Sequence, residues 1–207
     1  MLSRTECLEY LEKINMPCHI RRHSLLVAEV ALLLGGLLNR NGSSLDMRLI
    51  ETGALLHDVG KERTLGTGED HAAVGAEMLA GIVHPAAARI VREHILLEPS
   101  HLEGPLTESI LVNYSDKRVM HEQVVSVQTR YYDLIARYAK TPRHRARLLE
   151  KLDLYLALEE KIFSHLSVGP QGAEIMGLKL NHTKGAGPED DGNQEAHCGI
   201  AGGREIR

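Results

Sequence analysis

An all-α fold, a compact helical bundle, is expected from three features of this 207-residue chain. Apolar residues recur at helical spacing almost throughout. No stretch shows the two-residue alternation of a half-buried strand, and no internal repeat is visible. Polar, Gly-containing and Pro-containing loops fall between the apolar runs rather than inside them. The pattern accommodates about seven or eight helices, and the length suits one domain with a real core.

The elements follow in order. Between residues 18 and 38, His23, Val27, Val30 and Leu34 step by four, three and four, so His23 shares the core-facing stripe. A second helix over 45–57 runs through Leu49, Ile50, Ala54, Leu55 and Leu56, with Gly60 as its stop. A polar loop over 64–70 ends on Asp70, which suits the N-cap of a helix over 71–82 with Val74, Met78 and Leu79 as its buried stripe. Pro85 fits the first turn of a helix over 86–94. Glu98-Pro99-Ser100 and Glu103-Gly104-Pro105 mark a loop before a helix over roughly 106–116. Two long helices close the pattern, 124–140 through Val127, Tyr131, Leu134, Ile135 and Tyr138, and 142–166 through Leu148, Leu149, Leu152, Leu156 and Phe163.

From residue 167 glycine crowds the chain and apolar residues thin out. Such a segment buries too little surface to offset its ordering entropy, so 167–207 is expected to be a largely disordered tail behind a folded unit over 1–166. Within it, 173–180 has enough apolar residues to dock or form a short helix. His182 and the His197-Cys198 pair read as solvated residues rather than ligands.

Composition narrows the function. A net charge of −4 advertises no basic patch for long nucleic acid or an anionic membrane. A small phosphorylated molecule needs only a local cationic site. No apolar run reaches the roughly 18 residues of a membrane span, and the start, Met1 to Cys7, is unlike a signal peptide. Cys7, Cys18 and Cys198 are odd in number and lack metal-type spacing, as reduced thiols would be. A cytoplasmic location is therefore expected. With one Phe and no Trp, base or sugar stacking is not expected to dominate recognition. The apolar positions on the two long helices exceed what a small bundle needs, which is compatible with a homodimer.

The chemistry centres on His57-Asp58, an imidazole and a carboxylate side by side at the end of an apolar run. Both suit divalent transition metals. His23, His71, His94 and Asp116 each lie on or at the end of a different expected helix, which is how a bundle builds a metal site. Asp116 follows Ile110, Leu111 and Val112, so if buried it needs a partner, and a cation serves. Each residue has a plainer reading. His23 suits a hydrogen-bonded core position, His71 a first-turn surface position, and His94 a helix C-cap. His19, His84, His101, His121, His144 and His165 are read as surface or structural.

The order of these residues resembles the HD superfamily of metal-dependent phosphohydrolases, whose pattern is a His, a His-Asp doublet and a distant Asp: here His23, His57-Asp58 and Asp116. His57-Asp58-Val59-Gly60-Lys61 is similar to the HD-x-G-K form of the doublet, as in small HDIG-type proteins. His71-Ala72-Ala73-Val74-Gly75-Ala76-Glu77 is similar to the family's H-x-x-x-G-A-E helix, and Asp116-Lys117-Arg118-Val119 to the segment carrying its last Asp. The resemblance covers roughly residues 17–118.

It implies an HD-type bundle and a hydrolase acting on a phosphate monoester or phosphodiester of a small substrate, with a nucleotide expected. The extra histidines imply two ions per chain, drawn from Mn, Fe, Co, Ni or Zn. His23, His57 and Asp116 would hold one ion and His71 and His94 the other, with Asp58 bridging. A metal-activated hydroxide is then the nucleophile, and no Ser or Cys is required. Lys61 is implied beside the site as a catalytic and substrate-binding cation, with Arg22, Lys117 and Arg118 as further candidates for gripping substrate; surface salt bridges are the plainer reading of these cations. Glu62 and Glu93 either orient a ligand His or are solvated. The alternative is a non-catalytic, nucleotide-sensing regulatory module on the same bundle.

Overall fold

The apolar spacing is realised as helix along the described residues, 1–180, of the computed structural model. In chain order these are α1 (Arg4–Lys13), α2 (Cys18–Arg40), α3 (Met47–Leu56), α4 (Lys61–Thr64), α5 (His71–Met78) and α6 (Pro85–Glu93). They continue as α7 (Ser100–Glu103), α8 (Glu108–Lys117), α9 (Val127–Tyr138), α10 (Pro142–Phe163) and α11 (Ala173–Met176). Helices α4, α7 and α11 are single turns. Among the described residues the only strands are β1 (Val119–Met120) and β2 (Gln123–Val124), an antiparallel hairpin. The fold is all-α, as expected.

Helix α2 is the axis of the core. It is long and apolar enough to cross a membrane by length and composition alone, but its apolar face, including Leu26, Val27, Val30, Leu34 and Leu38, packs on α3 and α8. Helix α3 in turn packs on α6, and α6 on α5. Short polar side chains start these helices by accepting first-turn N–H groups: Ser3, Asp46, Asp70, Thr107, Ser126 and Thr141. Ser3 and Glu6 form a full capping box.

Four local readings change. Helix α1 has only Cys7 and Leu11 buried, too few apolar positions to announce itself. Helix α5 stops at Met78, and its buried residues are Ala72, Gly75 and Ala76; Val74 and Met78 are only partly buried. The hairpin escaped notice because two-residue strands have no alternation to read. The fourth concerns the tail, which is not structureless from residue 167: α11 docks, Ile175 is fully buried, and the carbonyl of Pro170 accepts a hydrogen bond from Arg118. His182, His197 and Cys198 lie outside the described residues.

Candidate metal centre

Six side chains converge from five segments. His23 projects from α2, His57 and Asp58 follow the end of α3, and His71 opens α5. His94 follows the end of α6, and Asp116 lies in the last turn of α8. His57, Asp58, His94 and Asp116 are buried, while His23 and His71 keep a small exposed edge.

The two helix ends orient their histidines by the same device. The last carbonyls of a helix lack intrahelical partners. His57 Nδ1 lies 2.7 Å from the carbonyl of Ala54, and His94 Nδ1 lies 2.6 Å from that of Val91. A carbonyl only accepts, so Nδ1 carries the proton, and Nε2 of each ring is turned into the cluster. Both readings of His94 therefore hold together, since it caps a helix and faces the site.

Asp58 sits between two groups. Its Oδ2 is 3.4 Å from His57 Nε2 and 3.9 Å from His23 Nε2. Its Oδ1 is 3.5 Å from His71 Nε2 and 3.6 Å from His94 Nε2. Asp116 Oδ1 lies 3.0 Å from His23 Nε2 and 3.6 Å from His57 Nε2, and the Nε2 atoms of His71 and His94 are 3.1 Å apart. His94 Nε2, whose proton is on Nδ1, carries a lone pair that wants a donor or a cation, and with His71 Nε2 so close the two are natural co-ligands.

Close backbone packing sets this spacing. A Cβ on Gly60 would lie 2.1 Å from the carbonyl oxygen of His71 and 2.6 Å from the Gly75 nitrogen. Gly60 therefore does not stop α3; it lets the turn after the doublet lie directly on α5, bringing Asp58 to His71. Its φ of −70° is ordinary, so close approach rather than a left-handed turn is what requires glycine.

The cluster fits a cation. Nε2 of His57 is buried without a hydrogen-bond partner, an arrangement that is costly unless something is bound there. Burial opposes ionisation of Asp58, but His57 and Lys61 outweigh it and hold the carboxyl well below the usual range. Asp116 is held down likewise, against burial, by Lys117, His23 and His57. Burial also opposes charging of His57, yet Asp58 and Asp116 push it up to about 9. By contrast, burial lowers His71 to about 4 and also lowers His94, leaving both neutral and ready to ligate. His23, His57 and Asp58 form one group able to hold a metal ion, and Asp58, His71 and His94 another.

The other candidate residues divide. Lys61 Nζ donates to Asp58 Oδ2 at 2.6 Å, and Lys117 pairs with Asp116, so both are at the cluster. Arg22, beside His23, pairs with Glu122 of the hairpin at 2.7 Å. Arg118 is a correction. It is fully buried, donating to Tyr114, Glu159 and the carbonyls of Val125 and Pro170, so it has no free face for a substrate. Glu93 accepts from Ser109 rather than from a ligand His, and Glu62 is exposed.

A supporting residue was missed. Asn113 Nδ2 donates to the carbonyls of Glu93 and Leu96 on either side of His94, and its Oδ1 accepts from Tyr155 of α10. The one signal in the sequence was a polar Asn amid the apolar residues of α8.

A family model described as HD domain matches residues 20–158. The chain belongs to the HD-domain family, a superfamily of metal-dependent phosphohydrolases. It is also similar to an uncharacterized protein of Methanocaldococcus jannaschii, 39% identical over 61 residues, which are 30% of this chain and 35% of that one. The matched part thus spans about a third of that relative's length. No solved structure matches the chain.

Proposed function

We propose that the protein is a hydrolase that cleaves a phosphate monoester or phosphodiester of a small nucleotide at a two-metal centre. The observation that carries this reading is Asp58, whose Oδ2 faces His57 and His23 and whose Oδ1 faces His71 and His94. A carboxylate with imidazoles at both oxygens suits a bridge between two ions. His23, His57 and Asp116 would hold one ion, His71 and His94 the other. Divalent ions, when bound, lower the pKa of water toward neutrality and neutralise phosphoryl oxygens.

The protein's own groups do the rest. Backbone carbonyls of Ala54 and Val91 keep His57 and His94 in the ligating tautomer. Lys61, about a third exposed, is placed to exchange its contact with Asp58 for a substrate phosphate once ions neutralise that carboxylate. Lys117 can do the same from Asp116.

The test is hydrolysis of mononucleotides and dinucleotides by purified protein loaded with Mn, Fe, Co or Ni. Turnover is expected, falling more than about 100-fold in Asp58→Asn. Absence of turnover with every metal, alongside tight nucleotide binding, would establish the sensing module instead. Metal content of two ions per chain is expected to drop to one in His71→Ala; a single ion unaffected by that change refutes the two-metal assignment alone.

A further inference from the structure

The surface charge is uneven. Residues 137–151 carry Arg137, Lys140, Arg143, Arg145, Arg147 and Lys151 against Glu150 alone, a local excess of five positive charges in a chain of net charge −4. Whole-chain charge hides this patch. Arg137 is paired with Asp133 at 2.8 Å, but among the described residues the other five cations pair with no carboxylate. Residues 142–147 and 149–151, the first half of α10, are exposed.

Helix stability does not account for the pattern. The first turn of α10 has no acidic residue and carries Arg143, His144 and Arg145 at the positive end of the helix dipole. That end favours Asp and Glu and disfavours cations. Beside these residues lies a groove of about 590 Å³ lined by Pro99, His144, Arg147, Leu148, Lys151 and Leu154, with Glu150 as the one carboxylate on its wall. Its volume is that of an ordinary ligand cleft. None of these residues belongs to the metal cluster.

We propose that this half of α10 and the turn before it bind a nucleic-acid strand. Arg143, Arg147 and Lys151, which share one face of α10, and Lys140 grip successive phosphates, and the apolar floor of Leu148, Leu154 and Pro99 receives bases. Arginine predominates, whose planar fork matches phosphate oxygens. A membrane surface is the poorer fit, because insertion needs a continuous apolar face and Leu149 is the only large apolar side chain exposed along this half-helix. The inference goes beyond the hydrolase reading and does not depend on it, since binding is measured without turnover.

The experiment is fluorescence anisotropy of a short labelled single-stranded oligonucleotide with the metal-free full chain. About four phosphate contacts predict an affinity loss of about 50-fold between roughly 50 and 200 mM salt. The R143E/R147E/K151E variant is expected to lose binding while unfolding at no lower a temperature, and R143Q/R147Q to bind weakly with a shallower salt dependence. Reversal of Arg89 and Arg92, exposed on α6, is expected to leave binding unchanged. No binding by the unaltered chain at about 50 mM salt overturns the proposal. So does undiminished binding by the triple variant, or capture of phosphatidylserine vesicles in place of the oligonucleotide.

Discussion

His57 records at a single ring what Asp58 and Asp116 ask of their surroundings. Their combined charge raises it from 6.5 to about 9 in the metal-free chain. A raised histidine pKa adds stability that is complete below the unfolded value and lost as pH rises through the folded one. For His57 that window runs from about 6.5 to about 9. Ligation needs the neutral ring, so metal binding inside the window must expel its proton. Manganese added to weakly buffered protein at a pH between those values is expected to release about one proton per chain, and the release should disappear in His57→Gln. Equal release by that variant would place the proton elsewhere. Arg118 shows the opposite lesson, because its neighbours in sequence suggested substrate while its neighbours in space are Glu159, Tyr114 and two carbonyls. Arg118→Met strands the buried Glu159 carboxylate and is expected to cost about 3–5 kcal/mol in urea unfolding, with Glu159→Met on the same chain restoring much of it.

At the scale of elements, the helices were legible because each buries a stripe of apolar residues, and their ends were less so. Gly60 looked like a helix stop, a role that composition alone supports. What it permits is backbone contact between the turn after α3 and α5, which no periodicity encodes. Gly60→Ala must push the His71 carbonyl away, so a loss of about 3 kcal/mol is expected together with loss of metal from the His71 side. Gly36 is the control. A Cβ there meets nothing nearer than the end of Arg40 at 3.6 Å, and Gly36→Ala is expected to stabilise α2 by about 0.5–1 kcal/mol. Chemical denaturation of both variants checks the contrast; equal effects would remove the packing argument. The small buried face of α5 follows from the same closeness, since Gly75 lies against Gly60, Val59 and Val91.

At the scale of the molecule, α8 joins the His/Asp cluster to the C-terminal half of the chain. Asn113 links α6 to Tyr155, while Arg118 ties α8 to the hairpin, α10 and the segment after it. That segment holds the one part of the tail, 173–180, expected to dock or form a short helix, and Ile175 within it is wholly buried. A chain ending at residue 166 exposes the site of Ile175 and leaves Arg118 short of one acceptor, so a loss of about 3 kcal/mol and a clearly lower Tm are expected. Unchanged thermal unfolding of the shortened chain would mean that the docked segment contributes little.

The sequence by itself determined the helical class, the ordered set of His23, His57, Asp58, His71, His94 and Asp116, and the family pattern they form. It could do so because helical periodicity and ligand chemistry are both local properties of residue type and spacing. Tertiary structure alone decided which oxygen of Asp58 faces which histidines, why Gly60 must be glycine, and that Arg118 is a buried strut. It also turned an unremarked run of arginines into an exposed half of α10 whose arginines pair with no carboxylate among the described residues. Each of those depends on which distant residues come within a few ångströms, and packing sets that where spacing along the chain does not.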